Sequence, residues 1–154
     1  MSSTVSSIAS STASTPSTAT ATKTTKHEKY VPFKQRFTLE QRKGEFERIK
    51  KDNPDKYPVI VEKNDKSKID DIDRHKFLVK GDTQVSYMLH TIRKRIESLK
   101  SDQAIFLFVN DTIPPMTMLI SQVYEEHKED DGFLYITYTG ESTFGLLKTN
   151  YDEF

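Results

Sequence analysis

Five apolar residues in the middle of the chain follow one face of a helix, and this stripe constrains the fold more than any other feature. Their offsets of 3, 4, 7 and 11 positions fit the helical period. The residues are Val85, Met88, Leu89, Ile92 and Ile96. We expect Asp82 to cap the start of this helix, because its side chain can accept hydrogen bonds from free backbone amides.

Four short segments are typical of strands. Residues 58–62 are mostly β-branched, residues 77–79 form a second apolar run, and residues 133–138 form the last. Residues 105–109 are uniformly apolar, which predicts a strand covered on both faces. The polar stretch at residues 63–76 is long enough to connect two neighbouring strands.

Helices are predicted at three further places. Thr38 followed by Gln41 is a capping arrangement, so we expect a helix over residues 39–51. A pair of prolines precedes a short helix over residues 117–126, and residues 30–37 could form another. The residues expected to face inward are Leu39, Phe46 and Ile49 in the first of these helices and Leu119, Ile120, Val123 and Tyr124 in the second.

The predicted elements follow one another as helix, helix, strand, strand, helix, strand, helix, strand. This order fits an α+β domain whose sheet is covered on one face. The plan resembles the ubiquitin-like β-grasp, although periodicity alone does not choose this fold over others of its class.

Composition excludes several kinds of protein. The chain contains no cysteine, so it has no disulfide, no thiolate zinc site and no cysteine nucleophile. Its longest apolar run, residues 104–109, is far shorter than the roughly 20 residues of a membrane-spanning helix. The net charge of zero conceals two unlike parts: residues 1–100 carry 21 basic and 13 acidic side chains, and residues 101–154 carry 2 and 10.

Residues 1–26 have the composition of a tail. Serine and threonine account for 16 of them, and the only charges are Lys23 and Lys26. Such a segment buries too little apolar surface to offset its ordering entropy, so we expect it to be disordered, with phosphorylation or targeting as alternative roles.

No pattern that carries catalysis occurs in the sequence. None of the four histidines pairs with another at metal-ligand spacing, and the acidic run at residues 125–131 is typical of a solvated helix end. There is no glycine-rich phosphate loop, nucleophile elbow or paired-carboxylate motif. We therefore expect no enzyme, no metal site, no non-covalent cofactor and no nucleic-acid partner.

Six strings from residue 57 onward occur together in one known family. They are residues 57–63, 92–96, 105–111, 113–115, 124–128 and 132–135, followed by Phe144 and Gly145. In order and spacing they resemble the ubiquitin-like autophagy modifiers that include GABA-receptor-associated protein and microtubule-associated protein light chain 3. The resemblance spans roughly residues 30–146 and implies a four-stranded β-grasp domain with two additional N-terminal helices.

The resemblance also implies that the C-terminus is cleaved and then conjugated to a lipid. A processing cysteine protease would cut between Gly145 and Leu146. Activating and conjugating enzymes would then transfer the Gly145 carboxyl group to phosphatidylethanolamine, so that a cytoplasmic chain reaches the autophagosome membrane through a lipid anchor. Every nucleophilic cysteine would belong to a partner. The implied division is a ubiquitin-like domain at residues 27–140, a flexible conjugation tail at residues 141–145 and a removable extension at residues 146–154.

Family members bind cargo receptors and autophagy adaptors through a short motif, in which an aliphatic residue lies three positions after an aromatic one. The peptide adds as a strand to a sheet edge, here expected at residues 76–79. By the resemblance, the aromatic pocket comprises Glu45, Ile49, Pro58, Ile60, Lys76, Leu78 and Phe133, and the aliphatic pocket comprises Phe77, Val79, Val85, Met88 and Arg95. Lys56 and Arg74 would form an electrostatic rim for the acidic flanks of the motif. Taken alone, Ile49, Leu78 and Phe133 could each be ordinary core residues.

The aliphatic pocket departs from the family pattern. Lys80 replaces a usual proline, Thr83 and Thr91 replace aliphatic residues, and Met88 replaces a usual phenylalanine. We therefore expect a more polar, more adaptable pocket with altered selectivity. The alternative function is a non-conjugated interaction module on the same fold, for example a cytoskeletal one, whose basic N-terminal helices bind an acidic partner.

Overall fold

The computed structural model describes residues 29–140. The predictions for residues 1–26, 141–145 and 146–154 fall outside the described residues. The elements are α1 (Phe33–Arg36), α2 (Leu39–Asp52), β1 (Lys56–Lys63), β2 (Lys76–Lys80), α3 (Val85–Lys94), β3 (Ile105–Phe108), α4 (Ile120–His127) and β4 (Leu134–Gly140). Their order is the one predicted.

The four strands form one mixed sheet in the order β2-β1-β4-β3. β1 and β4 run parallel in the centre, and β2 and β3 pair with them antiparallel on the outside. The sequence of β1 suits this central place, because its residues from Pro58 to Val61 are all buried. The α+β class and the four-stranded sheet are confirmed. The two strands joined by the polar stretch, β1 and β2, are neighbours in the sheet, as predicted.

Apolar clusters lie on both faces of the sheet, which corrects the expectation of a sheet covered on one face. Val59 and Val61 belong to a larger cluster with α3 and α4, whereas Ile60 belongs to a smaller cluster with Phe33 and Phe133, next to α2. Alternate residues of a strand point to opposite faces, so neighbouring residues of β1 serve separate clusters.

The start of α2 follows the prediction. Gln41 N donates to Thr38 Oγ1 at 3.3 Å and Thr38 N donates to Gln41 Oε1 at 2.9 Å, which is a reciprocal cap. The predicted inward position of Leu39 is wrong, because 42% of this residue is exposed. Phe46 and Ile49 are half-buried against the smaller cluster, so α2 lies on the surface along a narrow apolar contact.

Two predicted helix starts are wrong for one physical reason. Gln84 and Leu119, the residues immediately before α3 and α4, form an isolated antiparallel bridge. The amide of Val85 therefore donates to the backbone carbonyl of Met118, and Asp82 does not cap α3. The same bridge holds Leu119 in an extended conformation, so α4 begins at Ile120 and not at residue 117.

β3 differs from the prediction of a strand covered on both faces. Ile105 and Leu107 are buried, whereas Phe106 and Phe108 are only half-buried. β3 lies at the outside of the sheet, so its residues are fully covered only on the face of the larger cluster.

Candidate functional site

β2 forms an open edge of the sheet, and alternate backbone groups along it point away from β1. The carbonyl oxygen of His75 accepts a hydrogen bond from Val61 N at 2.8 Å, so residue 75 faces β1. Backbone groups of a strand alternate in direction, so Phe77 also faces β1, whereas the amides and carbonyls of Lys76 and Leu78 face outward. Outward groups of this kind can pair with an additional strand.

The side chains of β2 also alternate between the two faces. Lys76 and Leu78 lie opposite Ile60 and Pro58 of β1, on the side of α1 and α2. Phe77 lies on the other side, against the larger cluster. The structure therefore places the predicted aromatic-pocket residues and the predicted aliphatic-pocket residues on opposite sides of one strand.

A surface pocket of about 320 Å³ opens beside Lys76 on the side of α1 and α2. Its lining residues are Phe33, Phe37, Gln41, Glu45 and Lys76. The Lys76 ammonium lies 5.0 Å from the ring centre of Phe33 and 5.9 Å from that of Phe37, and 3.5 Å from Glu45 Oε1. We call this cavity the aromatic pocket; aromatic walls and a charged rim suit the ring of a Trp, Tyr or Phe side chain.

Glu45 is held as a carboxylate at the rim. Hydrogen bonds from the Arg48 guanidinium, at 2.8 and 3.0 Å, are the main cause of the lowered pKa of Glu45; partial burial opposes them and Lys76 adds to them. Because Arg48 also neutralises Glu45, Lys76 can move toward a ligand without leaving this carboxylate unpaired.

The other residues predicted for the aromatic pocket lie at different depths. Leu78 is 42% exposed, and Pro58 is buried opposite it. Ile60 and Phe133 are each 1% exposed within the smaller cluster, and Ile49 packs against that cluster. The buried members therefore support the pocket from beneath.

Phe33 and Phe37 line the pocket, although the sequence did not assign them to it. Their ring centres lie 5.0 Å apart, and that of Phe33 lies 5.3 Å from that of Phe133. The available signal was their spacing, since residues four positions apart share one side of a helix. α1 has only four residues, which is too short for this period to be recognised.

Asp131 holds residues beneath the aromatic pocket in place through hydrogen bonds and an ion pair. It is 2% exposed, and it accepts hydrogen bonds from Phe133 N at 2.9 Å and from the Tyr135 hydroxyl at 2.5 Å. Arg42 of α2 pairs with it at 3.1 Å. Burial, followed by the hydrogen bond to Asp131, raises the pKa of Tyr135, so this hydroxyl remains a donor. The prediction that residues 125–131 are a solvated run is wrong at Asp131, which joins α2 to the chain entering β4.

The predicted aliphatic-pocket residues come together on the opposite side of β2, mostly inside the core. Val79, Val85 and Met88 are 8%, 1% and 2% exposed. Phe77 is half-buried at the surface, with the guanidinium of Arg95 5.5 Å from its ring centre. Because Val85 and Met88 have almost no exposed surface, an aliphatic side chain can contact them only if the core packing changes.

Two polar side chains on this side, those of Arg95 and Thr91, already have partners. Arg95 Nη1 lies 3.2 Å from both carboxylate oxygens of Asp73. The Thr91 hydroxyl donates to the carbonyl of Tyr87 at 2.9 Å, within α3. Thr91 therefore adds less polarity to this side than its residue type suggests.

The two rim residues lie at opposite ends of the pairing between β1 and β2. Lys56 begins β1 opposite Lys80, and Arg74 precedes β2. Arg74 Nε donates to the outward carbonyl of Lys76 at 3.0 Å. A docking strand that uses this carbonyl must displace the Arg74 side chain.

The described part of the chain gives no sign of a metal site. Among residues 29–140, no three His, Asp or Glu side chains converge in a way that could hold a metal ion. In the same residues, no helix combines the length and the apolar character that crossing a bilayer requires.

Comparison with known proteins identifies the relatives of this chain. A family model described as "Autophagy protein Atg8 ubiquitin like" matches residues 41–145. The chain is 52% identical over 113 residues to autophagy-related protein 8 of Candida glabrata, covering 73% of this chain and 95% of that protein. For autophagy-related protein 8 of Schizosaccharomyces pombe the identity is 52% over 115 residues, covering 75% and 94%. The crystal structure of Trypanosoma brucei ATG8 matches with a TM-score of 0.67 and 36% identity, covering 73% of this chain and 97% of that one.

Proposed function

The chain belongs to the Atg8 family of ubiquitin-like autophagy proteins, and we propose that it is cleaved after Gly145, conjugated to phosphatidylethanolamine and used as a membrane-anchored adaptor for cargo receptors. In this role it is a substrate of a cysteine protease and of activating and conjugating enzymes, and it is not itself an enzyme. Its proposed locations are the cytoplasm and, after lipidation, the autophagosome membrane.

The observation that carries the adaptor role is the position of two apolar sites on opposite sides of one open strand edge. In an extended peptide, residues an odd number of positions apart point to opposite faces. An aliphatic residue three positions after an aromatic one would thus face Phe77 and Met88 while the aromatic residue enters the aromatic pocket. The peptide backbone would pair with Lys76 and Leu78. A spacing of two or four positions would send both side chains to one side.

The aromatic pocket has the chemistry that this proposal needs. Its aromatic walls, Phe33 and Phe37, offer contact area to a ring, and the Lys76 ammonium can lie over the ring face. The carboxylate of Glu45 can accept the N–H of a tryptophan or the O–H of a tyrosine. The pocket therefore favours the polar aromatic residues over phenylalanine.

A double substitution on β2 tests the adaptor role. Phe77→Ala with Leu78→Ala removes one apolar side chain from each side of the strand. We expect affinity for an aromatic-x-x-aliphatic peptide to fall about tenfold or more, because anchor contacts dominate such interfaces. Tyr87→Ala is the matched control, since this residue is 66% exposed on α3. Unchanged affinity in the folded double variant would contradict the site.

The proposed conjugation is supported by the sequence around Gly145. The family match ends at residue 145, so residues 146–154 extend beyond it. Glycine has no Cβ, and its carbonyl can therefore be approached closely in the narrow clefts of a protease and a conjugating enzyme. The chain contains no cysteine, so the thioester chemistry falls to its partners.

The intact mass of the protein from its native cell tests conjugation. Under autophagy-inducing conditions we expect the loss of residues 146–154 and a gain equal to phosphatidylethanolamine minus water. A protein that still ends at Phe154 would contradict conjugation and favour a non-conjugated interaction module.

A pair of glycine substitutions assigns the conjugation site. Gly145→Ala should block cleavage or transfer. Gly44→Ala is the matched control, because a Cβ added at Gly44 on α2 meets nothing within 4 Å. Normal conjugation of the Gly145→Ala variant would show that the site lies elsewhere.

A further inference from the structure

The aromatic pocket takes one of its walls from α1, a helix too short to be stable alone. A helix of four residues depends on contacts with the rest of the domain, so such contacts must fix Phe33 in place. Pro32, the residue before the helix, makes no side-chain cap for its first amide. Lys34 pairs with Glu129 at 2.7 Å, but both side chains are partly exposed, and surface ion pairs contribute little. The start of α1 therefore needs a further partner.

Glu62 of β1 is that partner. Its Oε1 accepts a hydrogen bond from Phe33 N at 2.7 Å and a second one from the Tyr30 hydroxyl at 3.0 Å. Alternate residues of a strand share a face, so Glu62 lies on the same side of the sheet as Ile60, which belongs to the smaller cluster. Hydrogen bonds accepted by a carboxylate are among the stronger ones in proteins. One oxygen atom thus joins both ends of residues 30–33 to the sheet.

Tyr30 is held in turn by a stack of two rings. Its ring lies on the imidazole of His75, with centres 3.5 Å apart and planes 16° apart. His75 Nδ1 lies 2.9 Å from the carbonyl oxygen of Val61, which fixes the imidazole against β1. Burial, followed by the charge of Glu62 and the hydrogen bond to it, raises the pKa of Tyr30, so the hydroxyl keeps its proton and remains a donor. We call Tyr30, Glu62 and His75 the clasp.

We infer that Glu62 is a positioning residue for the aromatic pocket and that, through the clasp, it sets how tightly an aromatic side chain binds there. This inference rests on the proposed function. Glu62 is not one of the residues that line the pocket, so it acts through Phe33. The ring of Phe33 lines the pocket and lies with its centre 5.0 Å from the Lys76 ammonium. A wall that is already in place spares the ligand the cost of ordering it.

Loss of the Glu62 side chain should change how often the pocket is formed and not its chemistry. In Glu62→Ala the Phe33 amide and the Tyr30 hydroxyl lose their shared acceptor, so residues 30–33 leave the sheet more often. A ligand binds only those molecules whose wall is in place, and the observed Kd therefore rises as their fraction falls. We expect affinity for a tryptophan peptide to fall about three- to tenfold.

The test is calorimetric titration with a synthetic aromatic-x-x-aliphatic peptide that carries tryptophan. Glu62→Gln keeps a side-chain oxygen that can accept both hydrogen bonds, so its Kd should stay within about twofold of the wild-type value. Tyr30→Phe keeps the ring stack and removes only the hydroxyl, so it should lose less affinity than Glu62→Ala. Glu97→Ala is the matched control, because it removes the same charge from an exposed residue after α3. Its affinity should equal that of the wild type.

A double substitution separates positioning from a general loss of stability. Phe33→Ala removes the wall itself, so adding Glu62→Ala to it should weaken peptide binding no further. If Glu62→Ala costs the same affinity with and without Phe33, Glu62 acts by another route and the inference is overturned.

Amide hydrogen exchange reports on the clasp in the absence of peptide. In Glu62→Ala we expect exchange at the Phe33 amide to accelerate about tenfold, while exchange in α3 stays unchanged. Faster exchange with an unchanged Kd would reduce Glu62 to a structural residue and overturn the inference. Unchanged exchange at Phe33, or a loss of affinity in Glu62→Gln as large as in Glu62→Ala, would overturn it as well. A wild-type chain that does not bind the peptide would instead contradict the proposed adaptor role, and the role of Glu62 with it.

Discussion

The two sides of β2 offer different surfaces to a partner. On the side of α1 and α2, the aromatic pocket of about 320 Å³ is already open beneath a charged rim. On the side of α3, Val79, Val85 and Met88 are almost fully buried in the larger cluster, against which Phe77 packs. A preformed site binds without rearrangement, whereas a closed one must open at a cost in free energy. If a receptor motif binds at this edge as proposed, we expect its aromatic residue to provide the initial anchor and its aliphatic residue to enter only when the core packing changes.

The interactions beneath each side account for this difference. The ring contacts of Phe133 and the buried pair of Asp131 with Arg42 hold the aromatic pocket in one arrangement. The inner residue of the aliphatic side is Met88, whose unbranched side chain can adopt several shapes. We therefore expect the aromatic side to be the more rigid of the two and the aliphatic side the more adaptable.

The largest effect is expected from Phe133→Ala, which removes the support of the aromatic pocket. Phe133 is 1% exposed and contacts the rings of Phe33 and Phe46. The free energy of unfolding, measured by urea denaturation, should fall by about 3–5 kcal/mol. Leu78→Ala, at an exposed position on the same side, should cost less than about 1 kcal/mol. Similar losses for the two variants would show that the pocket has no rigid support.

Met88→Ala is expected to have the next largest effect, and it tests the adaptable side. The free energy of unfolding should fall by about 2–3 kcal/mol, because the substitution leaves a cavity in the larger cluster, against which Phe77 packs. The same cavity should admit a larger aliphatic residue. A motif peptide with Leu at its aliphatic position should therefore gain affinity severalfold relative to the same peptide with Val there. Ile136→Ala, a buried change in β4, controls for lost stability alone. A ratio unchanged by Met88→Ala would contradict opening at this residue.

The loss of stability at alkaline pH shows how well each side of the sheet shields its tyrosine hydroxyl from water. The hydroxyl of Tyr124 donates to the carbonyl of Gly132 at 2.6 Å, and burial raises its pKa from 10.0 to about 12, with the charge of Glu125 adding to the effect. Between these values the unfolded chain has released this proton and the folded chain has kept it. Stability should therefore be unaffected by this group below pH 10 and should decrease from there toward pH 12.

Phenylalanine substitutions separate the contributions of the two sides to this loss. Tyr124→Phe on the side of α4, and Tyr135→Phe on the side of α2, should each flatten the fall in unfolding free energy, followed by urea denaturation at successive pH values. Burial raises the pKa of Tyr135 in the same direction. A slope that neither substitution changes would show that both phenols are open to solvent.

Glu45→Gln should have the smallest effect on stability and a selective effect on binding. Its partners Arg48 and Lys76 are exposed, so the free energy of unfolding should change by less than about 1 kcal/mol. Affinity for a tryptophan motif should fall more than affinity for a phenylalanine motif, because only the former donates a hydrogen bond to the rim. Calorimetric titration of the two peptides measures this, and equal losses would exclude the proposed contact.

Local spacing made much of the fold predictable from the sequence. The apolar stripe of α3, the reciprocal cap formed by Thr38 and Gln41, and the four strands depend on residues close together in the chain. The helix starts were not predictable in this way, because the bridge between Gln84 and Leu119 joins segments that only the folded chain brings together. The extension of β4 to Gly140 likewise depends on distant residues, because Gly140 lies opposite Ile105 of β3 and its amide donates to Ser67.

The candidate site was predictable only in part for the same reason. The resemblance to known modifiers pointed to Lys76 and Glu45, which do lie together at the rim. It did not point to Phe33 and Phe37, since a four-residue helix carries too little periodicity to show where its aromatic residues lie. The buried role of Asp131 depends on Arg42 and Tyr135 and cannot be read from a run of acidic residues.

Hydrogen exchange along β2 tests most directly whether a motif peptide adds as a strand to this edge. On saturation with an aromatic-x-x-aliphatic peptide, the outward amides of Lys76 and Leu78 should gain protection. The amide of Phe77, which already faces β1, should change little. A peptide with one fewer intervening residue should bind at least about tenfold more weakly, because both of its side chains face one side of the strand. Equal affinity for the two spacings, or protection at Phe77 without protection at Lys76 and Leu78, would contradict strand addition at this edge.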